Sequence, residues 1–269
     1  MRLAEDAGLH SVWVPHHTLM PVEYDSVYPY QGSQRLPFPP NTIYGDALGV
    51  LAHVAAVTER IRLATNVVPL ITQHPLALAK QAATVDHLSG GRLELGLGGG
   101  WLREEGEILG QPTDRRGARL AEAVSLLRAA WTGEPFTHDG RFWSVPASVI
   151  CPAPSQGSRI PLWIGGGGPA VMRTVREDGA GLVLPPWQAG RDMLARLRPE
   201  LPHTPFAIPL EVPSDFDAGE ILDDVAALAA AGAALVILYT AVDPPAAHDT
   251  VGRFAEQVVP RLPADPSPS

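Results

Sequence analysis

Short apolar runs alternate with longer segments of helical period along almost the whole chain, and this alternation constrains the fold more than any other feature. Seven runs read as strands: 11–15 (SVWVP), 61–70 (IRLATNVVPL), 92–98 (RLELGLG), 161–166 (PLWIGG), 181–185 (GLVLP), 205–212 (PFAIPLEV) and 233–240 (AALVILYT). Each is close to continuously apolar, the pattern of strands covered on both faces. The segments between them read as helices at 46–59, 75–88, 102–109, 114–132, 169–178, 190–198, 218–231 and 246–259. Pro75 suits a first helical position, and Gly133 follows the end of the 114–132 helix. Strands that alternate with helices in this way build a parallel sheet of β–α units. A doubly wound sheet accepts seven strands, whereas a barrel needs eight. The chain opens in a helix (MRLAEDAGLH), with Leu3, Ala4 and Ala7 on one face and Gly8 at its end. Such a helix follows a strand in a β–α series, so the first strand is the one expected to be missing.

Two stretches break the alternation. Residues 18–43 form a long loop carrying Tyr24, Tyr28, Tyr30, Phe38 and five prolines; a loop of this length inside a domain is functional or disordered. Residues 136–160 read as irregular. No composition shift marks a boundary, so a single domain is expected over 1–262, with a disordered tail at 263–269 (PADPSPS).

Charge and cysteine content narrow the function classes. Twenty basic against 29 acidic residues give a net charge of −9, which argues against nucleic-acid binding but leaves room for a local arginine to hold a phosphate. The single cysteine, Cys151, cannot form an internal disulfide and has no metal-ligand spacing around it. Apolar runs fall short of the ~18 residues of a membrane span, and no secretory signal opens the chain. The expectation is a cytoplasmic protein that binds neither membrane nor nucleic acid.

In parallel α/β folds, ligands bind beyond the carboxyl ends of the strands. That rule gathers His16 and His17 after the first strand, Thr65 and Asn66 in the second, Gly98, Gly99, Gly100 and Trp101 after the third, and Gly165, Gly166, Gly167 and Gly168 after the fourth. The histidines are either a polar surface pair or a proton donor and ring contact. The four-glycine run is either a plain connection or a backbone cradle for an anion, because the helix it opens offers free N–H groups and a positive dipole end. Arg173 and Arg176 follow one to two turns on. The run matches neither a P-loop nor the GxGxxG fingerprint. GLGGGW at 96–101 either turns around a packing tryptophan or brings backbone close to a flat ring, with Trp101 as a wall. Glu104, Glu105 and Glu107 suit the positive end of a helix better than a metal, since no histidine stands at a ligand spacing.

These residues, in the order SVWVPHH, AAVTERIRLATNVVPL, HPLALAKQAATVDHLSGGRLELGLGGGWLREEGEILG and PLWIGGGGPAVMRTVREDG, resemble the bacterial luciferase-like flavin-dependent oxidoreductases. Within them the chain is most similar to the branch that uses the deazaflavin coenzyme F420. The resemblance covers roughly 4–240 and is most specific over 75–110. It implies an α/β fold of TIM (β/α)8-barrel type, here without its first β-strand. It further implies that His17 faces the deazaflavin as proton donor or ring contact, and that His16 lies beside it where many relatives carry an acid. Thr65 and Asn66 would run along the cofactor ring, at a bulge with a non-prolyl cis peptide. Gly99, Gly100 and Trp101 would lie near the cofactor, and Gly165 to Gly168 would receive its phosphate. Glu104 and Glu105 match a common acidic pair with a structural role. Trp101 stands where the sugar-phosphate dehydrogenases of the family carry a glutamate, and the chain has one lysine, Lys80, so a sugar phosphate is disfavoured as substrate. The implied function is hydride transfer between coenzyme F420 and a small organic substrate, in a homodimer. The alternatives are an FMN-dependent monooxygenase and a barrel that has lost its cofactor.

Overall fold

The apolar runs form parallel strands, and the segments between them form the helices that cover those strands. The computed structural model describes residues 1–29, 35–36, 38–42, 44–240 and 244–262. In chain order the elements are α1 (Arg2–Asp6), β1 (Ser11–Val14), α2 (Ala47–Val57), β2 (Arg62–Thr65), β3 (Val68–Pro69), α3 (Pro75–Ser89), β4 (Leu93–Gly98), α4 (Arg103–Ile108), α5 (Arg116–Ala130), β5 (Phe136–Asp139), β6 (Ser144–Ser148), β7 (Leu162–Gly165), α6 (Pro169–Asp178), β8 (Gly181–Val183), α7 (Trp187–Leu197), β9 (Phe206–Glu211), α8 (Ala218–Ala230), β10 (Leu235–Tyr239) and α9 (Pro244–Gln257). Tyr30, other positions of the 18–43 loop and the 263–269 tail lie outside the described residues.

Local chemistry sets the helix ends. Asp46 caps α2 by accepting the Gly49 amide at 2.6 Å, and Asp217 does the same for α8 with the Gly219 and Glu220 amides. Pro75 opens α3, and Gly90, with φ of 69°, closes it in the left-handed conformation.

The strand path runs β1-β2-β4-β7-β8-β9-β10, parallel throughout, with β3 added to the end of β4. Every residue of β4 is buried, which accounts for its lack of alternation. The path curls into a nearly closed barrel, so the expected barrel class holds. Its seam lies between β1 and β10; among the described residues each of these strands is paired along one edge only. Beside the seam, α1 packs against α9. Inside the barrel, Trp13 and Trp163 meet edge to face at 5.5 Å, and Val67, Val183, Ala207 and Ile237 fill the same layer. The buried carboxylate of Glu94 is paired with Arg62 and accepts the Trp163 indole N–H at 2.7 Å.

Two expectations need correction. The 61–70 run is not one strand: it breaks into β2 and β3 around the Asn66–Val67 peptide, which is cis as the resemblance implies. The 136–160 stretch is not wholly irregular, for β5 and β6 form an antiparallel hairpin. The Asp139-Gly140 pair at its tip is a hairpin signal in the sequence. The turn is fastened to α5 by Glu122, which accepts the amides of Arg141, Phe142 and Trp143. Among the described residues no helix is long and apolar enough to cross a membrane, and no group of three metal-ligating side chains occurs.

Candidate active site

The carboxyl ends of the barrel strands open into one cavity of about 3040 Å³, which continues into the seam. His16, His17, Asn66, Gly99, Gly100, Trp101 and Gly165 to Gly168 all line it, so positions spread over 150 residues of sequence meet on one surface. Thr65 is the exception. Its side chain is fully buried between strands, where Oγ1 donates to the Gly96 carbonyl at 2.8 Å and accepts the Gly96 amide at 2.9 Å. A Cβ on Gly96 would lie 1.9 Å from the Thr65 carbonyl oxygen, so glycine is what lets the two strands close here. Thr65 therefore fixes the sheet behind the cavity.

His17 is held by a residue that sequence reasoning assigns to the helix alone. Its Nδ1 lies 2.8 Å from Oε2 of Glu105, whose side chain is completely buried. The other oxygen of Glu105 accepts the amides of Thr18 at 2.7 Å and Leu19 at 3.3 Å. The imidazole meets Tyr44 and Trp101 edge-on, at 5.4 and 6.1 Å between ring centres. Trp101 in turn carries Tyr24 and Tyr28 at 5.7 and 5.2 Å. The described part of the 18–43 loop thus lies over the site as an aromatic cover. Glu104 ties that cover down by accepting the Asp25 and Ser26 amides at 2.9 and 3.1 Å.

His16 sits differently. It is buried, and its Nδ1 accepts the Ala47 amide at 3.3 Å, helping to cap α2. Burial lowers its pKa, and the opposing pull of the Asp46 and Glu105 carboxylates does not restore it. Burial thus favours the uncharged form of this ring.

At the far side of the cavity, α6 begins at Gly168 with no side-chain cap. α5 begins nearby with none either, its N-cap Arg115 having a φ of 48°. The two first turns touch, since a Cβ on Gly117 would stand 2.8 Å from that of Ala170. Arg116 reaches from α5 into the cavity lining and donates to the Gly100 carbonyl at 2.6 Å. A Cβ on Gly168 would meet nothing within 4 Å, so the missing side chain leaves free space in front of the α6 amides. Uncapped amides, free space and a guanidinium are the donor set of an anion cradle, and they fit the phosphate of a flavin or deazaflavin. Arg116 was not visible from the sequence, because nothing in α5 announces contact with the 98–101 turn. Arg173 and Arg176 do not line the cavity; Arg176 pairs with Glu200 on the surface.

Among the described residues no Asp or Glu lines the cavity, in a chain with 29 of them. Among the described residues its charged side chains, besides the histidines, are those of Arg2 and Arg116.

Barrel and cavity together define a parallel β–α barrel with a carboxyl-end site that suits a flat, anionic cofactor. The chain belongs to the luciferase-like monooxygenase family, whose model matches residues 1–203. An uncharacterised protein of Mycobacterium tuberculosis is 40% identical over 167 residues, 62% of this chain and 59% of that protein. The F420-dependent glucose-6-phosphate dehydrogenase of Beutenbergia cavernae is 34% identical over 184 residues, 67% of this chain and 49% of the dehydrogenase. Among solved structures, monooxygenase RslO1 from Streptomyces bottropensis is similar with a TM-score of 0.76 at 21% identity, over 96% of this chain and 90% of that one. Coenzyme F420-dependent and FMN-bound enzymes both occur among further structural neighbours. The match to the first of these relatives spans about three-fifths of its length.

Proposed function

We propose that this chain transfers a hydride between coenzyme F420 and a small, uncharged, largely apolar alcohol or carbonyl compound. The observation that carries this reading is one cavity in which His17, the Asn66–Val67 backbone and the glycine cradle meet with no carboxylate among the described lining residues. Coenzyme F420, when bound, supplies a two-electron hydride carrier. The amides at the start of α6 and the Arg116 guanidinium would hold its phosphate. Asn66, Val67 and the Gly98–Gly100 backbone would support one face of its ring. His17 would give or take the proton that accompanies the hydride, while Tyr28, Tyr44 and Trp101 keep water from the reacting atoms.

The substrate class follows from the same lining. An anionic sugar would lose its hydration against aromatic rings with no lysine to meet it, whereas a planar apolar substrate finds edge-to-face partners. The identity with an F420-dependent dehydrogenase supports the cofactor assignment. Monooxygenases among the relatives support the second reading, an FMN-dependent enzyme using the same cradle.

Fluorescence titration with coenzyme F420 and, separately, with FMN tests this. Saturable binding of the deazaflavin is expected, weakened about tenfold in Arg116→Ala, in keeping with one charge-assisted contact. Preference for FMN would replace the reading with the monooxygenase, and binding of neither would leave a barrel without a cofactor.

A further inference from the structure

We propose that Glu105 is a positioning residue that fixes the tautomer of His17 and leaves Nε2 as the ring atom that exchanges the substrate proton; the catalytic half of this rests on the hydride-transfer reading above. A carboxylate with 0% exposure needs donors around it to stay buried. Glu105 has three, and all belong to one stretch of chain: the His17 ring and the amides of the two residues after it. The group therefore grips both the imidazole and the backbone that carries it. A carboxylate engaged in this way accepts from Nδ1, so a neutral His17 carries its proton on Nδ1 and keeps the lone pair on Nε2. Among the described residues no protein group pairs with Nε2, and the ring lines the cavity.

His16 provides an internal contrast. Its Nδ1 accepts the Ala47 amide, which places the proton of a neutral ring on Nε2. Two adjacent histidines are thus held in opposite tautomers, and only His17 presents a basic nitrogen toward the cavity. In alcohol oxidation, the carbon–hydrogen electron pair would leave as hydride, for which a bound deazaflavin would be the acceptor. The hydroxyl proton passes to Nε2 of His17, and a carbonyl is left. Reduction runs the same transfers backwards, with Glu105 facing an imidazolium on the protonated side.

The first test needs no cofactor. Long-range proton–nitrogen spectra of the imidazoles, assigned with His16→Gln and His17→Gln, are expected to show Nδ1–H at His17 and Nε2–H at His16. An Nε2–H signature at His17 would overturn the proposal even if the enzyme turns over with coenzyme F420. The second test is kinetic. Glu105→Gln is expected to lower kcat about 100-fold, within the range of general acid–base effects, while KM changes less than about twofold. The same substitution in a His17→Ala background is expected to cost nothing further, because the two residues act as a unit. Equal losses in both backgrounds would reduce Glu105 to a structural anchor and overturn its role. If Glu105→Gln does not fold, the tautomer of the unaltered protein still decides. A protein with the expected tautomers but no F420 turnover would refute the hydride reading and leave the positioning intact.

Discussion

Between β1 and β4 the buried polar groups are held by partners on neighbouring elements, whereas the β9–β10 side of the barrel leaves its last strand half-covered. On the first side Thr65 is bonded in both directions to Gly96, Glu94 to Arg62 and Trp163, and Glu105 to three donors. Below them, Arg92 donates to backbone carbonyls of Ala55, Thr58, Ile61 and Ser89. On the second side only Ile237 of β10 is buried, and the buried hydroxyl of Thr240 at the strand's end has no hydrogen-bond partner among the described residues. The difference separates two tasks. The His17 ring and the strands beneath it are held by charge-assisted and backbone hydrogen bonds, an arrangement that fixes side-chain geometry. The wall bordering the seam carries less buried surface.

The largest effect should come from breaking the rigid side at its tightest point. Gly96→Ala drives a methyl into the Thr65 carbonyl, and β2 and β4 cannot separate without disturbing the whole path. A loss of about 3–5 kcal/mol is expected, measured by urea unfolding. A loss below about 1 kcal/mol would show that the strands have slack.

A paired truncation sharpens the comparison at intermediate size. Leu95 in β4 is completely buried and Val236 in β10 is half-buried. Leu95→Ala should cost about 2–5 kcal/mol, the range for a core leucine, and Val236→Ala below about 1.5 kcal/mol, since less apolar area returns to water. Equal costs would erase the contrast and mean that the seam is as well packed as the opposite wall.

The same contrast explains what was legible in the sequence. Continuous apolar runs such as LELGLG reveal buried parallel strands because burial on both faces is written into consecutive residues. That the glycine run at 165–168 lies at the cavity is legible because a glycine run between a strand and a helix is a local signal. The His17–Glu105 contact is not, since it spans 88 positions, and a glutamate near a helix start already has a sufficient local explanation. Arg116 is hidden for the same reason. Thr65 misleads in the opposite sense: it sits beside the site in sequence, but the side chain of a strand residue faces only one way, and here it faces Gly96. The 136–148 hairpin was readable from Asp139-Gly140, but its short strands are too polar to announce themselves.

The smallest expected effect is a local one, on the anchor of the aromatic cover. Burial alone would raise the pKa of Glu104, but hydrogen bonds from the Ser26 hydroxyl, its own backbone amide and the Asp25 and Ser26 amides outweigh it and bring the value down to about 2. A carboxyl with a depressed folded-state pKa binds fewer protons folded than unfolded, so its contribution is whole above the ordinary carboxylate range and falls away as pH drops toward 2. Hydrogen exchange at the Asp25 and Ser26 amides should therefore lose protection between about pH 4 and pH 2, after correction for intrinsic rates. Glu104→Gln should bring the same loss at neutral pH while the Thr65–Gly96 amides keep theirs. Simultaneous loss at Gly96 would mean that the cover and the rigid wall form one cooperative unit, and the line between the two regions would have to be redrawn to place the 18–29 segment with β1–β4.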